Sequence, residues 1–409
     1  MTASAEEEEV GSVNACSSSN TSSPVTASSP EVHVITGGGG YVGLNIAREL
    51  QAKGHRIVLF DISKPTEMPH PDMKFVQGDI RNLSDVMRVA QDASCIYHVA
   101  SFGMSGTEML NNKLIEAINV EGTKNVIKAC RQCGVERLVY TSSVNVVFNG
   151  NPIACGDETL PYIPEQKHID HYSRTKSISE QLVLAANGET VAGDKTLRTV
   201  ALRSGGIYGP GEMRHTLRII NHLRSGFLIF KFGTAKSDYV HITNLVQAHV
   251  KAGEALTPQN KCVAAGQAYT ITDGTPINNF EFFKPLIEGL GYTYPKINLL
   301  VWIMYMIAYI SELVHYTIGG FIGFEPFLNM AECIKVSVNH TFSIEKARRD
   351  LGYEPTKVND MSDSVAYWLE RGYHRDSGIN GALHSELTWH VKWMLGILCA
   401  TMIMVFIVV

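Results

Sequence analysis

Apolar residues fall in short blocks along the chain, and the spacing inside and between blocks predicts the elements. "VHVIT" (32–36), "RIVLFD" (56–61), "KFVQGD" (74–79), "CIYHVA" (95–100) and "RLVYTSS" (137–143) are compact runs bounded by polar or glycine-rich residues. Runs of this length, rich in β-branched and aromatic residues, predict buried strands. From about Tyr41 to Lys53 the apolar positions take helical spacing and predict an amphipathic helix. Strands separated by helical stretches imply βαβ units, hence an α/β fold built on a doubly wound parallel (Rossmann) sheet. No repeat of solenoid length is present.

The two ends read differently. Residues 1–30 are Ser/Thr-rich, acidic near the start and without an apolar block. That composition predicts a disordered tail and excludes a secretory signal. Residues 393–409, "WMLGILCATMIMVFIVV", carry no charge and follow Lys392. They reach the lower limit of about 17 residues for a span and are expected to form a C-terminal transmembrane anchor. A second apolar stretch, 297–324, is split by Glu312 into halves of 15 and 12 residues, each short for a span. It is expected to dip into or lie on the bilayer and return, because the chain beyond it belongs with the catalytic face. A soluble core helix or a wall of the substrate cavity is the alternative.

Chemistry enters with "TGGGGYVG" (36–43), which fits a nucleotide fingerprint through Gly37, Gly40 and Gly43, or through Gly38, Gly40 and Gly43. Early glycines let backbone N–H groups approach a pyrophosphate, and the last lets helix and strand pack closely. Asp61, 18 residues after Gly43 at a strand end, is placed to accept ribose hydroxyls and to repel a 2′-phosphate. NAD is therefore expected, with NADP kept open by nearby Lys64. Asp79 follows the next strand and is positioned to accept from an adenine amino group.

"HYSRTKS" (171–177) sets Tyr172 and Lys176 four apart, on one helical face. An ammonium beside a phenol favours the phenolate, so Lys176 is expected to lower the Tyr172 pKa and make it a general acid/base. Lys176 is also placed to bond the nicotinamide ribose. Ser142 and Ser143 close a strand 30 and 29 residues earlier, where open parallel sheets bind ligands.

"TGGGGYVG", "NVEGTKNV" (119–126), "YTSS" (140–143), "YSRTK" (172–176), "IYGPGE" (207–212) and "FSIEKARRDLGYEP" (342–355) together resemble the extended short-chain dehydrogenase/reductases. Within them the chain is most similar to the 3β-hydroxysteroid dehydrogenase/isomerase family and its 42E branch, over residues 31–372. The resemblance implies Tyr172 as catalytic acid/base, Lys176 as its partner, Ser143 as the donor to the substrate oxygen and Asn119 as a structural residue. Two positions depart from the family pattern: Ser204 where a proline is usual, and Thr243 where an aspartate is common. The expected organisation is a tail (1–30), an NAD-binding domain (31–204), a smaller C-terminal substrate region (205–372) holding the apolar insertion 297–324, a linker (373–392) and the anchor (393–409).

Composition narrows the partners. The 409 residues carry a net charge of -5 and a pI near 6.3, against a nucleic-acid binder. Eight cysteines are scattered without zinc spacing, so thiols in a reducing compartment are expected and no metal site. A basic run, Arg214, Arg218, Arg224, Lys231 and Lys236, has no acid between Glu212 and Asp238. It suits anionic lipid, a diphosphate or plain solvation. The expectation is a membrane-tethered NAD-dependent oxidoreductase acting on a secondary alcohol, the 3β-hydroxyl of a steroid or sterol. The site would face the cytoplasm from the endoplasmic reticulum, and a homodimer is allowed. The alternatives are a sterol 4-carboxylate 3-dehydrogenase (decarboxylating), a nucleotide-sugar epimerase, and a cofactor-binding regulator without catalysis.

Overall fold

A computed structural model describes residues 30–66, 68–226, 228–319 and 328–375. Residues 1–29 of the expected tail 1–30, residues 376–392 of the expected linker and the expected anchor 393–409 lie outside the described residues, as do residues 320–324 of the apolar stretch.

Five of the expected strands form as β1 (Val32–Thr36), β2 (Arg56–Asp61), β3 (Lys74–Gln77), β4 (Cys95–His98) and β5 (Arg137–Ser143). Two more, Arg198–Ser204 and Gln267–Ile271, complete a seven-stranded sheet. Its order is Gln267–Ile271, Arg198–Ser204, β5, β4, β1, β2, β3. All neighbours run parallel. The Gln267–Ile271 strand lies beyond residue 204, so the sheet draws on chain from both sides of that expected boundary.

Each face of the sheet carries its own core. Helix α1 (Tyr41–Ala52) buries Ile46, Ala47 and Leu50 against Ile35, Leu59 and Val139. The Ile242–Ala255 and Glu345–Leu351 helices cover the same face through Leu245, Ala248 and Ala347. The opposite face packs Val34, Phe60, Ile96 and Leu138 under the Leu83–Ala90, Gly122–Cys133 and His171–Ala185 helices. Strands buried on both faces read as unbroken apolar runs, the pattern seen in the sequence.

β1 pairs with β2 on one side and β4 on the other, so the strand order reverses there. Ligands bind beyond the carboxyl ends of strands at such a reversal. The second region has no large sheet. Short pairs join 206–208 to 239–241 and 230–232 to 297–299, and a four-stranded patch combines 277–278, 236–237, 340–342 and 153–156.

The Val301–Val314 helix seats Met304, Ile307 and Ala308 against Phe232 and Cys333, and turns Trp302, Tyr309 and Leu313 outward. Among the described residues, no helix is long and apolar enough to cross a membrane.

Candidate active site

The glycine turn between β1 and α1 is shaped by close contacts. Gly37 has φ +69°, and a Cβ there would sit 2.8 Å from the Ala100 nitrogen. A Cβ on Gly43 would stand 2.3 Å from the Gly37 carbonyl oxygen, so helix and turn touch only because both lack side chains. Gly40 caps α1 without any side-chain bond, and Gly40, Tyr41 and Val42 line the cavity above it. The positive end of the helix dipole thus opens on the cavity.

Asp61, at the end of β2, accepts hydrogen bonds from Gly39 N (3.0 Å) and Ser63 N (3.1 Å). It holds the turn and lines the cavity together. Asp79 also lines it, but Arg81 grips the carboxylate through backbone N (2.8 Å) and guanidinium (2.5–3.0 Å). The guanidinium holds the Asp79 carboxyl below its usual range. Arg81 thereby takes up much of the acceptor capacity expected for an adenine contact.

Ser143 and Ser142 diverge as successive strand residues must. Ser142 turns to Glu180 and donates a short bond to it. Ser143 caps the short turn at Val144–Val147, accepting from Asn145 N at 3.2 Å, and lines the cavity. The His171–Ala185 helix starts at Asp170, whose side chain accepts from Ser173 N at 2.6 Å and pairs with Lys335 at 2.7 Å. This helix buries Tyr172, Ser173, Thr175, Lys176, Ser179 and Glu180, a polar face that only specific partners make affordable.

Most of those partners are present, the buried Ser173 hydroxyl being the exception. Asn119, in a π-helical turn (Ala117–Glu121), bonds Phe102 through both its amide groups (2.9 and 3.0 Å) and donates to Thr175 Oγ1 at 3.0 Å. Its carbonyl accepts from Ser179 at 2.7 Å. Glu180 is fully buried and takes Arg203 (2.8 and 2.9 Å), the Tyr162 hydroxyl (2.7 Å) and Ser142.

Tyr172, Lys176, Ser143, Gly37, Gly40, Gly43, Asp61 and Asp79 all border one cavity of about 1560 Å³. The expected effect of lysine on tyrosine is corrected, however. Burial pushes the Tyr172 phenol up to about 12; the Arg214 cation and a Ser101 hydrogen bond oppose the rise. Lys176 spends its ammonium on the Thr141 carbonyl and stands 4.4 Å from the centre of the Tyr140 ring. Burial pushes it down to about 7, against the pull of Glu180. Desolvation outweighs pairing here, so each group leans to its neutral form.

Sequence reasoning passed over Glu180 and Arg203, took Ser101 only as one of the small residues of "HVAS" (98–101) that let a cofactor lie against backbone, and read Arg214 only as part of a basic run. Glu180 was within reach, four residues past Lys176 on the same helical face. Ser101 and Arg214 reach the site from loops distant in sequence.

Away from the glycine turn the cavity wall mixes apolar residues, Leu228, Phe230, Phe232, Phe280, Phe283 and Ile287, with charged and polar ones such as Arg218, His222, Asp238, Asn279, Glu332 and Lys335. Cations on this wall face acids. Arg218 pairs with Glu332 at 2.5 Å, Lys335 with Asp170, and Arg214 lies 3.9 Å from Glu108. Elsewhere in the basic run Lys231 lies 3.6 Å from Glu281, and Arg224 stacks over Tyr373.

The sequence profile of the 3-beta hydroxysteroid dehydrogenase/isomerase family matches residues 34–301. Short-chain dehydrogenase/reductase family 42E member 1 of Macaca fascicularis is 49% identical over 356 residues, which span 86% of this chain and 90% of that protein. A 3-beta-hydroxysteroid dehydrogenase of Mycolicibacterium neoaurum is 35% identical over 347 residues, 82% of this chain and 91% of its own. Among solved structures, the UDP-glucose 4-epimerase of Thermus thermophilus in complex with NAD superposes with a TM-score of 0.63 at 20% identity. The match covers 83% of this chain and 99% of the epimerase. That last likeness is one of fold.

Proposed function

We propose, from the premise that the chain belongs to the 3-beta hydroxysteroid dehydrogenase/isomerase family, that it interconverts the 3β-hydroxyl and ketone of a steroid or sterol. As a member of that family it is an NAD-dependent oxidoreductase acting on hydroxyl donors. The substrate class is the step beyond. One observation carries it: the cavity runs from the glycine turn past Ser143 and Tyr172 to a wall of phenylalanine, leucine and isoleucine. Its volume of about 1560 Å³ exceeds the roughly 300–1,000 Å³ of an ordinary ligand pocket and suits a dinucleotide plus a rigid apolar molecule.

The nucleotide fits the glycine turn, since Gly37, Gly40 and Gly43 line the cavity at the start of α1 and bring no side chain into it. Gly37, Gly40 and Gly43 would receive the pyrophosphate, Asp61 a ribose, and Lys176 the nicotinamide end. The bound nicotinamide supplies hydride transfer. Ser143 orients the substrate oxygen. Tyr172 exchanges its proton: as a phenol it donates to a carbonyl oxygen, and as a phenolate it accepts from an alcohol. Arg214 favours the phenolate, and Glu180 favours the charged form of Lys176.

Acids facing Arg214, Arg218 and Lys335 weigh against a nucleotide-sugar diphosphate on this wall. The outward Trp302, Tyr309 and Leu313, with Ile229 and Leu300, support contact with a lipid surface from which such a substrate would enter.

The test incubates the purified full chain with NAD and a panel of hydroxysteroids and sterols, following reduced nicotinamide absorbance. Tyr172→Phe should lower turnover by at least about 100-fold while cofactor affinity stays unchanged. Turnover that survives this substitution removes the assigned role, and a panel with no substrate removes the substrate class.

A further inference from the structure

At the amino-terminal edge of the sheet, opposite the cavity, three potential ligands converge from separate segments. Glu31 precedes β1, His33 is its second residue and His55 immediately precedes β2. One donor atom from each lies within 4.8 Å of the others. His33 is only 2% exposed, yet neither ring nitrogen has a hydrogen-bond partner, and His55 Nδ1 is likewise buried and unpartnered. Buried polar atoms left without partners are costly, so such a pair asks for an explanation.

We propose that Glu31, His33 and His55 form a binding site for a divalent transition-metal ion, zinc above all, which pins the start of the chain's first strand to its neighbour.

The geometry supports this. His33 Nε2 lies 3.5 Å from Glu31 Oε2, longer than a hydrogen bond but close to the separation of two ligands around one tetrahedral ion. Three atoms no more than 4.8 Å apart leave a point within about 2.8 Å of each, so contraction of under about 1 Å reaches zinc–ligand length. Arg137 donates to Glu31 Oε1 at 2.6 Å, which fixes the carboxylate with its other oxygen toward the rings. That guanidinium also repels a cation, so the site is expected to bind less tightly than a dedicated zinc cage. Two histidines and one carboxylate suit zinc or cobalt better than calcium or magnesium. Cysteine spacing carries no sign of this set, whose ligands come from two strand starts and contain no cysteine.

The experiment titrates the chelator-treated full chain with Co²⁺, reading the visible ligand-field bands, and with Zn²⁺ by calorimetry. One equivalent should bind and raise the melting temperature. His55→Gln and Glu31→Gln, both at partly exposed positions, should each weaken binding at least about 10-fold and abolish the metal-dependent rise. His55→Gln should leave the metal-free melting temperature nearly unchanged, whereas Glu31→Gln removes the counter-charge of the buried Arg137 and should lower it, so its metal-dependent rise is read against its own metal-free value. His33→Gln should likewise weaken binding if it folds, and the other two variants decide if it does not. No stoichiometric binding, or binding that persists in both exposed-site variants, overturns the proposal.

Discussion

The two halves of the cavity are made by opposite means. The nucleotide half uses backbone: a glycine turn, a helix start and one carboxylate, all within residues 36–61. The substrate half uses side chains gathered from residues 143, 172, 204–232, 279–287 and 328–340, held by strands of two to four residues. A backbone cradle tolerates little change, because a Cβ at Gly37 would meet Ala100, one at Gly38 would meet Leu59, and one at Gly43 would meet the Gly37 carbonyl. A side-chain wall can be rebuilt one residue at a time without disturbing the sheet.

Acid is the broadest way to break both halves together. His33 and His98 are buried on the sheet, His249 on the Ile242–Ala255 helix that covers it, and His340 beside the substrate half; burial pushes them down to about 3, 3, 4 and 4. Their folded pKa values lie below the unfolded value near 6.5, so the unfolded chain binds more protons below that point. Stability is full above about pH 6.5 and falls toward the folded pKa values. Each histidine costs about 1.4 kcal/mol per pH unit, or roughly 5 kcal/mol per unit for the four. Thermal melts of metal-free protein should be flat from pH 7 to 8.5 and drop steeply below 6. A melting temperature independent of pH between 7 and 5 would show that these rings find compensation elsewhere.

Glu180 sits where the halves join, under the helix that presents Tyr172 and Lys176. Glu180→Gln leaves the buried Arg203 guanidinium without its counter-charge, with Arg203 only 3% exposed. Removing one partner of a buried pair costs about 3–5 kcal/mol, and an Arg203→Met change in the same chain should recover part of it. Denaturant midpoints measure both. A loss under about 1 kcal/mol would place the network's role in positioning rather than stability.

How much of this was legible follows the same division. The five strands and α1 were readable because buried parallel strands are unbroken apolar runs and the helix has a clear period. The Arg198–Ser204 and Gln267–Ile271 strands were not, since "RTVALRS" and "QAYTI" carry charged or polar residues that meet partners only in the fold. Arg203, for one, looks like a surface residue until Glu180 is seen beside it. Tyr172, Lys176 and Ser143 were visible as a motif, and the structure brings them to one cavity. The electrostatics were not visible. Spacing places Lys176 one turn from Tyr172, but only the fold shows that Thr141 and Tyr140 hold the ammonium and that burial dominates both groups.

The finest separation of the halves lies at Asp61. Its carboxylate accepts from Gly39 and Ser63, so it is fixed at the end of β2 with its charge at the cavity edge. A fixed negative charge there disfavours a 2′-phosphate. Arg48, Lys64 and Arg81 line the same end and supply the opposite preference once the carboxylate is gone. Asp61→Ser keeps a short acceptor for the Gly39 and Ser63 amides while deleting the charge. The ratio of kcat/KM for NAD over NADP should fall about 10- to 100-fold, which is roughly 1.4–3 kcal/mol of discrimination. The KM for the alcohol should not move, because no residue of the apolar wall touches Asp61. A shift in alcohol KM of the same size would mean that the two halves communicate through the glycine turn. An unchanged cofactor ratio would move nucleotide selectivity from Asp61 to the three cations around it.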